Sequence, residues 1–277
     1  MKSELFIETG IEDLNSNIRK VLKGLEDIVI VPNFVNNHGL FEKLNQEIQL
    51  FADQTCALRT KDGFFAPHPY STIRKDASCI DPYSNYIQSN AELLKSERVF
   101  NFQQGYDNFF QDKLNMEKLT LPSFPKFNSF GFRTLFKGEN GIDIHCENAF
   151  INQLDNLFTA ELYQNIDIEN AISIFVILDK DERDDKDLSI YGMDWREAKI
   201  ELNNTSYEER HDEKGSIFTN RSFRKPEISF IDLKVGDLIF FRAAQLWHSV
   251  SRVNYKNRVS LGSFIALDKN NNLKYWA

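Results

Sequence analysis

With 277 residues, 42% hydrophobic and 27% charged, the chain has the composition of a globular protein able to bury a substantial core in one elaborated domain. A formal charge of −8 speaks against a nucleic-acid surface, which draws its affinity from Lys and Arg neutralising phosphates. Cys56, Cys79 and Cys146 show no Cys-x-x-Cys spacing, so neither a disulfide framework nor a structural zinc is indicated, and a reducing compartment fits best.

Residues 11–25 carry Ile11, Leu14, Ile18, Val21, Leu22 and Leu25 near helical spacing, which predicts an amphipathic helix. The stretch before it, Met1 to Leu14, holds four acidic residues and no long apolar run. About eighteen apolar residues in succession occur nowhere, so we expect a cytoplasmic protein without a membrane span. Ile28-Val29-Ile30-Val31 reads as a β-branched strand closed by Pro32-Asn33. Leu40, Leu44, Ile48 and Phe51 then predict a second helix.

Residues 59–86, with Pro67, Pro69 and Pro82, read as an irregular aromatic loop. A loop of that length inside a compact domain is expected to pack or to gate something, and a substrate lid is one such role. Arg74 is the cation to watch there. Helical spacing returns over 86–119, and Pro122 and Pro125 end it.

From Phe127 the apolar period becomes two. Phe130, Phe132, Thr134 and Phe136 fall on one face of a strand, with Arg133 and Leu135 on the other. A guanidinium facing the interior is costly without a carboxylate, so Arg133 is expected to meet an internal acid, a cosubstrate or a substrate. Asn140-Gly141 supplies turn chemistry before the next strand. Further strands are predicted at 172–178, 188–192, 228–233, 237–242 and 259–267. The charged tract Asp179 to Asp187 reads as a solvated turn, and the polar stretch 193–226 as an insertion. Many short strands separated by turns favour a sandwich or jelly roll over a wound parallel sheet.

The chemistry begins at His145-Cys146-Glu147. In a strand, residues two apart share a face, so an imidazole and a carboxylate stand side by side. With His248 as a third donor, the set has the composition of a two-His-one-carboxylate centre with open positions. Zinc also takes two histidines and a glutamate, but its paired ligands more often come from a helix, three or four residues apart. Nitrogen and oxygen donors alone leave zinc and manganese open. His38, His68 and His211 lack a comparable setting. On the last long strand Arg258 and Ser260 face one way, and a guanidinium with a nearby hydroxyl suits a carboxylate.

Together, His145-x-Glu147, the turn and strand Lys234 to Phe241, Trp247-His248-Ser249-Val250 and Arg258-Val259-Ser260 resemble the iron(II)- and 2-oxoglutarate-dependent oxygenases over roughly residues 126–267. That resemblance implies an α+β fold: a double-stranded β-helix (jelly-roll, cupin-like) core over 126–277, with residues 1–125 as helical support packed outside and a possible lid. It implies Fe(II) held by His145, Glu147 and His248, and 2-oxoglutarate as cosubstrate with its distal carboxylate on Arg258 and Ser260, Arg252 being the reserve. It also implies hydroxylation by molecular oxygen, coupled to conversion of 2-oxoglutarate to succinate. Family members more often carry aspartate where this chain has Glu147, a longer side chain that the local backbone must absorb. Halogenating relatives lack the carboxylate ligand, so Glu147 argues against that activity.

Leu188 to Trp195 and the overall size are similar to a group of oxygenases and halogenases acting on free amino acids. By that resemblance the substrate is a small molecule, an amino acid first and a peptide or protein side chain second. Arg74, Arg133, Asn148 and Trp276 are then its candidate contacts. Other readings of the same residues are a noncatalytic or zinc-binding jelly-roll protein, or a metal enzyme on this barrel that uses no 2-oxoglutarate. No nucleic-acid or membrane partner is expected.

Overall fold

The computed structural model describes residues 11–35, 38–75, 78–139, 141–148, 156–184, 187–194 and 228–277. At its centre lies β12 (Arg258–Leu267), the longest strand described. Val259, Leu261 and Ile265 are at most 1% exposed on one of its faces, and Ser260 and Gly262 alternate with them on the other. A strand covered on both sides belongs inside a sheet, and β12 pairs antiparallel with β5 (Gly131–Leu135) and with β7 (Ile172–Asp179). The large sheet runs β1 (Ile28–Val31), β10 (Leu238–Phe241), β7, β12, β5, β3 (Gly63–Ala66) and β2 (Leu58–Arg59). Beyond that path, β13 (Leu273–Trp276) pairs with β12 and with the short β4 (Glu117–Lys118).

A second sheet has the order β6 (Ile142–His145), β11 (Leu246–Val250), β8 (Leu188–Asp194), β9 (Ile228–Ile231). Its Leu188, Ile190 and Leu246 pack with Ile177, Ile239 and Phe241 of the large sheet, so the two sheets face each other. The other face of the large sheet is covered by helices. Ile18 and Val21 of α1 (Ile11–Leu22), Leu44 and Ile48 of α2 (His38–Leu50) and Phe102 of α4 (Glu97–Asn108) share one apolar cluster with Phe132, Ile174, Phe240 and Leu261. Fully burying one such side chain stabilises the fold by about 1.5–3 kcal/mol, which is why the outer face of the sheet sets the helix positions. Two further helices are α3 (Ile80–Leu93) and α5 (Leu157–Asn165). Among the described residues, no helix is long and apolar enough to cross a membrane.

Several elements differ from the sequence reading. The stretch read as an irregular loop contains β2, β3, a 3-10 turn at Tyr70–Lys75 and the start of α3. Phe64 and Ala66 are fully buried on β3, which takes the free edge of β5, so ladder bonding overrides the local prolines. The predicted helical region 86–119 divides into α3, α4 and a π turn at Phe109–Lys113 and ends in the strand β4, with Ser96 capping α4 by accepting from Val99 N. Residues 1–125 are more than outside support, because β1 and β3 are strands of the large sheet. The tract Asp179 to Asp187 turns at the exposed Glu182 and Arg183 as expected, but Asp184 and Asp187 are buried, 5% and 2% exposed. Most of the predicted insertion, 195–227, lies outside the described residues, as does His211.

Candidate metal and cosubstrate site

Between the two sheets is a cavity of about 400 Å³. The large sheet contributes three ladder pairs to its wall: Arg258 opposite Leu135, Ser260 opposite Arg133, and Gly262 opposite Gly131. The small sheet contributes Ile142, His145, Leu188, His248 and Val250. Phe65 and Pro67 to Tyr70, within the stretch read as a lid, close one side. A larger open groove of about 940 Å³ elsewhere is lined by acids and lysines, and it holds none of the predicted site residues.

His145 and His248 are register partners on β6 and β11, and their rings stand 4.1 Å apart, centroid to centroid. Gly141 makes this pairing possible, since a Cβ there would lie 1.8 Å from the carbonyl oxygen of Val250. The His248 ring is 3% exposed, and its Nδ1 donates to the carbonyl of Leu246 at 2.9 Å. A carbonyl only accepts, so this bond fixes the tautomer and leaves the Nε2 lone pair for a ligand. Burial first, and then the neighbouring His145, hold the imidazole well below its ordinary pKa. The neutral form is the one that binds metals.

Glu147 is the third predicted donor. β6 ends at His145, and a helical turn begins at Glu147, so the pair does not arise from strand alternation as expected. The turn nonetheless brings Glu147 Oε1 to 4.0 Å from His145 Nε2. Donors sharing an octahedral ion sit roughly 3 Å apart, so this carboxylate must move by about 1 Å to close on a common ion. Among the described residues no group of three or more His, Cys, Asp or Glu side chains is placed to hold a metal ion as it stands. Glu147 keeps 22% of its side-chain surface, which leaves room for that rotation.

Arg258 lines the cavity while 5% exposed, and its Nη1 donates to Asp187 Oδ1 at 3.1 Å. The other Asp187 oxygen accepts from Lys180 Nζ at 2.6 Å and from Leu233 N at 2.8 Å. One carboxylate thus serves two cations, and of the two it is Arg258 that lines the cavity. Desolvation lowers the Arg258 pKa, and Asp187 first and then Asp184 act against that. Arg252 instead spends its guanidinium on the carbonyl of Gly138 at 2.6 Å, at the surface.

Arg133 also lines the cavity, over the Phe65 ring at 4.8 Å. Asn148 is fully buried and donates to the carbonyl of Glu169 at 2.9 Å, outside the cavity wall. Trp276 is fully buried and stacked on Phe264, which itself forms the wall. The Arg74 side chain lies outside the described residues. Two residues that line the cavity were not singled out from the sequence. Asp187 sits in a charge run that reads as solvated, and Asn128 follows a proline-rich bend that carries no ligand signature.

Residues 81–277 match the family model of the carrier-protein-independent halogenase WelO5. The chain belongs to that family. It is a family of iron(II)- and 2-oxoglutarate-dependent enzymes, so Fe(II) and the cosubstrate 2-oxoglutarate are its cofactors. Among solved structures, the chain is similar to an N-substituted L-amino acid dioxygenase from Burkholderia ambifaria AMMD. The TM-score is 0.59 at 14% identity, over 95% of this chain and 91% of that one. The same enzyme in complex with alpha-KG gives a TM-score of 0.59 at 13% identity, over the same shares. At such identity the likeness concerns the fold. No curated protein matches the chain.

The donors present suit the cofactors of the WelO5 family. Two imidazoles, one locked in the ligating tautomer, and a nearby carboxylate provide a mixed nitrogen and oxygen set. On the same cavity wall, Arg258 and Ser260 offer donors for a carboxylate.

Proposed function

We propose that the chain is an Fe(II)/2-oxoglutarate-dependent hydroxylase acting on an unactivated C–H bond of a small molecule, with a free amino acid as the first candidate. In this reading one domain spans residues 1–277, on a double-stranded β-helix core. His145, Glu147 and His248 hold the iron, and Arg258 with Ser260 holds the distal carboxylate of 2-oxoglutarate. When bound, the iron and cosubstrate supply the oxidant, and 2-oxoglutarate leaves as succinate and carbon dioxide.

The observation that carries hydroxylation over halogenation is the Glu147 carboxylate, 4.0 Å from His145. A halide needs a vacant coordination position on the protein side of the metal, and a carboxylate ligand takes it. The chain's own residues have three further tasks. The Leu246 carbonyl holds His248 in one tautomer, the apolar walls around Phe241 and Ile177 exclude water, and Arg258 orients the cosubstrate. A cavity of about 400 Å³ is within the range for small ligands. The likeness to an enzyme described as acting on N-substituted L-amino acids makes amino acids the first class to test, with peptide side chains second.

The test is aerobic turnover with Fe(II), 2-oxoglutarate and excess chloride against the free amino acids, followed by mass spectrometry. The expected product gains one oxygen atom, with one succinate formed for each product. A chlorine isotope pattern in the product would overturn the hydroxylase reading.

A further inference from the structure

Asn128 is 2% exposed and lines the cavity, yet neither its side-chain oxygen nor its side-chain nitrogen has a partner. Its backbone is fixed on both sides. The amide N donates to Tyr86 Oη at 2.7 Å, and the carbonyl accepts from Ala277 N at 2.9 Å. A buried carboxamide with both ends open loses its hydration without compensation, so its position calls for a ligand. Arg133 presents a second unmet group, because its Nε is buried without a partner. No carboxylate lies within ion-pair distance of it among the described residues.

The surroundings disfavour the lone guanidinium further. Desolvation and the charge of Arg258 both lower its pKa, and Glu147 and Asp62 only partly oppose them. Since Arg258 already has Asp187, the two cavity arginines are unequal: one is partly neutralised and the other awaits an anion.

Between Arg133 and Asn128 the cavity wall carries Phe130 and then a position without a side chain. Gly131 and Gly262 are ladder partners that both line the cavity. A Cβ on Gly131 would meet nothing within 4 Å, and one on Gly262 would meet only the Ile174 carbonyl oxygen, at 3.6 Å. Side chains are therefore missing where the backbone would tolerate them, and the wall recedes into a slot between the two polar groups.

We infer that this slot is the substrate subsite and that it selects a small carboxylate: Arg133 takes the carboxylate, the Gly131–Gly262 pair accommodates the body, and Asn128 reads a hydrogen-bonding group such as an amine. The inference rests on the hydroxylase reading and assigns to Arg133 the anion that Arg258 does not hold.

The probes are the twenty free L-amino acids and their carboxamides, titrated anaerobically into enzyme with Fe(II) and 2-oxoglutarate. The readout is perturbation of the visible charge-transfer absorption of the iron-bound cosubstrate, with thermal melting as a check on folding. At least one amino acid should perturb the band, while its carboxamide should not. Loss of a charge-assisted pair should raise the half-saturating concentration about 30-fold in Arg133→Gln, and loss of a neutral one about 5-fold in Asn128→Ala. Gly131→Val should block the larger probes while melting as the wild type does. In all three variants the band itself should form. Carboxamides binding as well as carboxylates, no probe binding at all, or unchanged saturation in Arg133→Gln would each overturn the subsite. Loss of the band in Arg133→Gln would overturn it too, by giving that arginine to the cosubstrate. Absence of the band in the wild type would instead fail the underlying cofactor reading.

Discussion

Replacing His248 with Ala is expected to abolish Fe(II) binding while leaving the protein folded. Removing only a residue that supports a metal ligand typically costs 10–100-fold in affinity, so deleting a ligand should weaken binding by more than about 100-fold. The cost to the fold is smaller: a buried Leu246 carbonyl loses its donor, worth about 1–3 kcal/mol against a total stability of about 5–15 kcal/mol. Anaerobic Fe(II) titration, alongside circular dichroism, separates the two effects. His145→Ala should behave in the same way, since its ring faces His248 across the β6–β11 ladder. Full Fe(II) affinity in either variant would remove these residues from the metal site.

The Arg258–Asp187 pair gives the second large effect, and the two partners should respond with opposite signs. Arg258→Ala leaves a 2% exposed carboxylate with Lys180 as its only cation among the described residues. Breaking a buried pair costs about 3–5 kcal/mol, or roughly 5–15 °C in melting temperature for a chain of this size. The same change should weaken 2-oxoglutarate binding by about 10–100-fold, because a charge-assisted pair is lost. Asp187→Asn should also lower the melting temperature, but it frees the guanidinium from its internal acid and should hold or raise cosubstrate affinity. Calorimetric titration with 2-oxoglutarate decides between the roles. If Arg258→Ala melts lower yet binds 2-oxoglutarate unchanged, Arg258 serves Asp187 alone.

Much of the core of this arrangement is legible in the sequence because it depends on local periods. The alternation around Phe132 and Arg133 separates the helix-covered face from the cavity face, and the same period places Ser260 beside Arg258. What is illegible depends on partners distant along the chain. β11 was not predicted as a strand, since Leu246 to Val250 is short and becomes one only by pairing with β6 and β8. The segment Gly63–Ala66 reads as loop until the edge of β5 is available to it. Asp187 reads as solvated because nothing near it in sequence announces Arg258, seventy-one positions away. At Glu147 the proximity to His145 was anticipated, but its route was not. The strand ends at the first histidine's ladder pair, and a helical turn brings the carboxylate back.

The two arginines show how a fold of this kind divides labour within one cavity. Arg258 and Arg133 lie on adjacent strands, and like charges in a poorly hydrated space repel. Asp187 relieves one of them permanently, which leaves an anion-seeking group on the strand that also carries Gly131.

The most direct measurement is anomalous diffraction from crystals grown anaerobically with Mn(II) and 2-oxoglutarate. One metal ion bound by His145 Nε2, Glu147 and His248 Nε2 at about 2.0–2.2 Å, with the distal carboxylate of 2-oxoglutarate on Arg258, is the expected result. A metal held elsewhere, or one bound by the two histidines while Glu147 stays turned away, would contradict it.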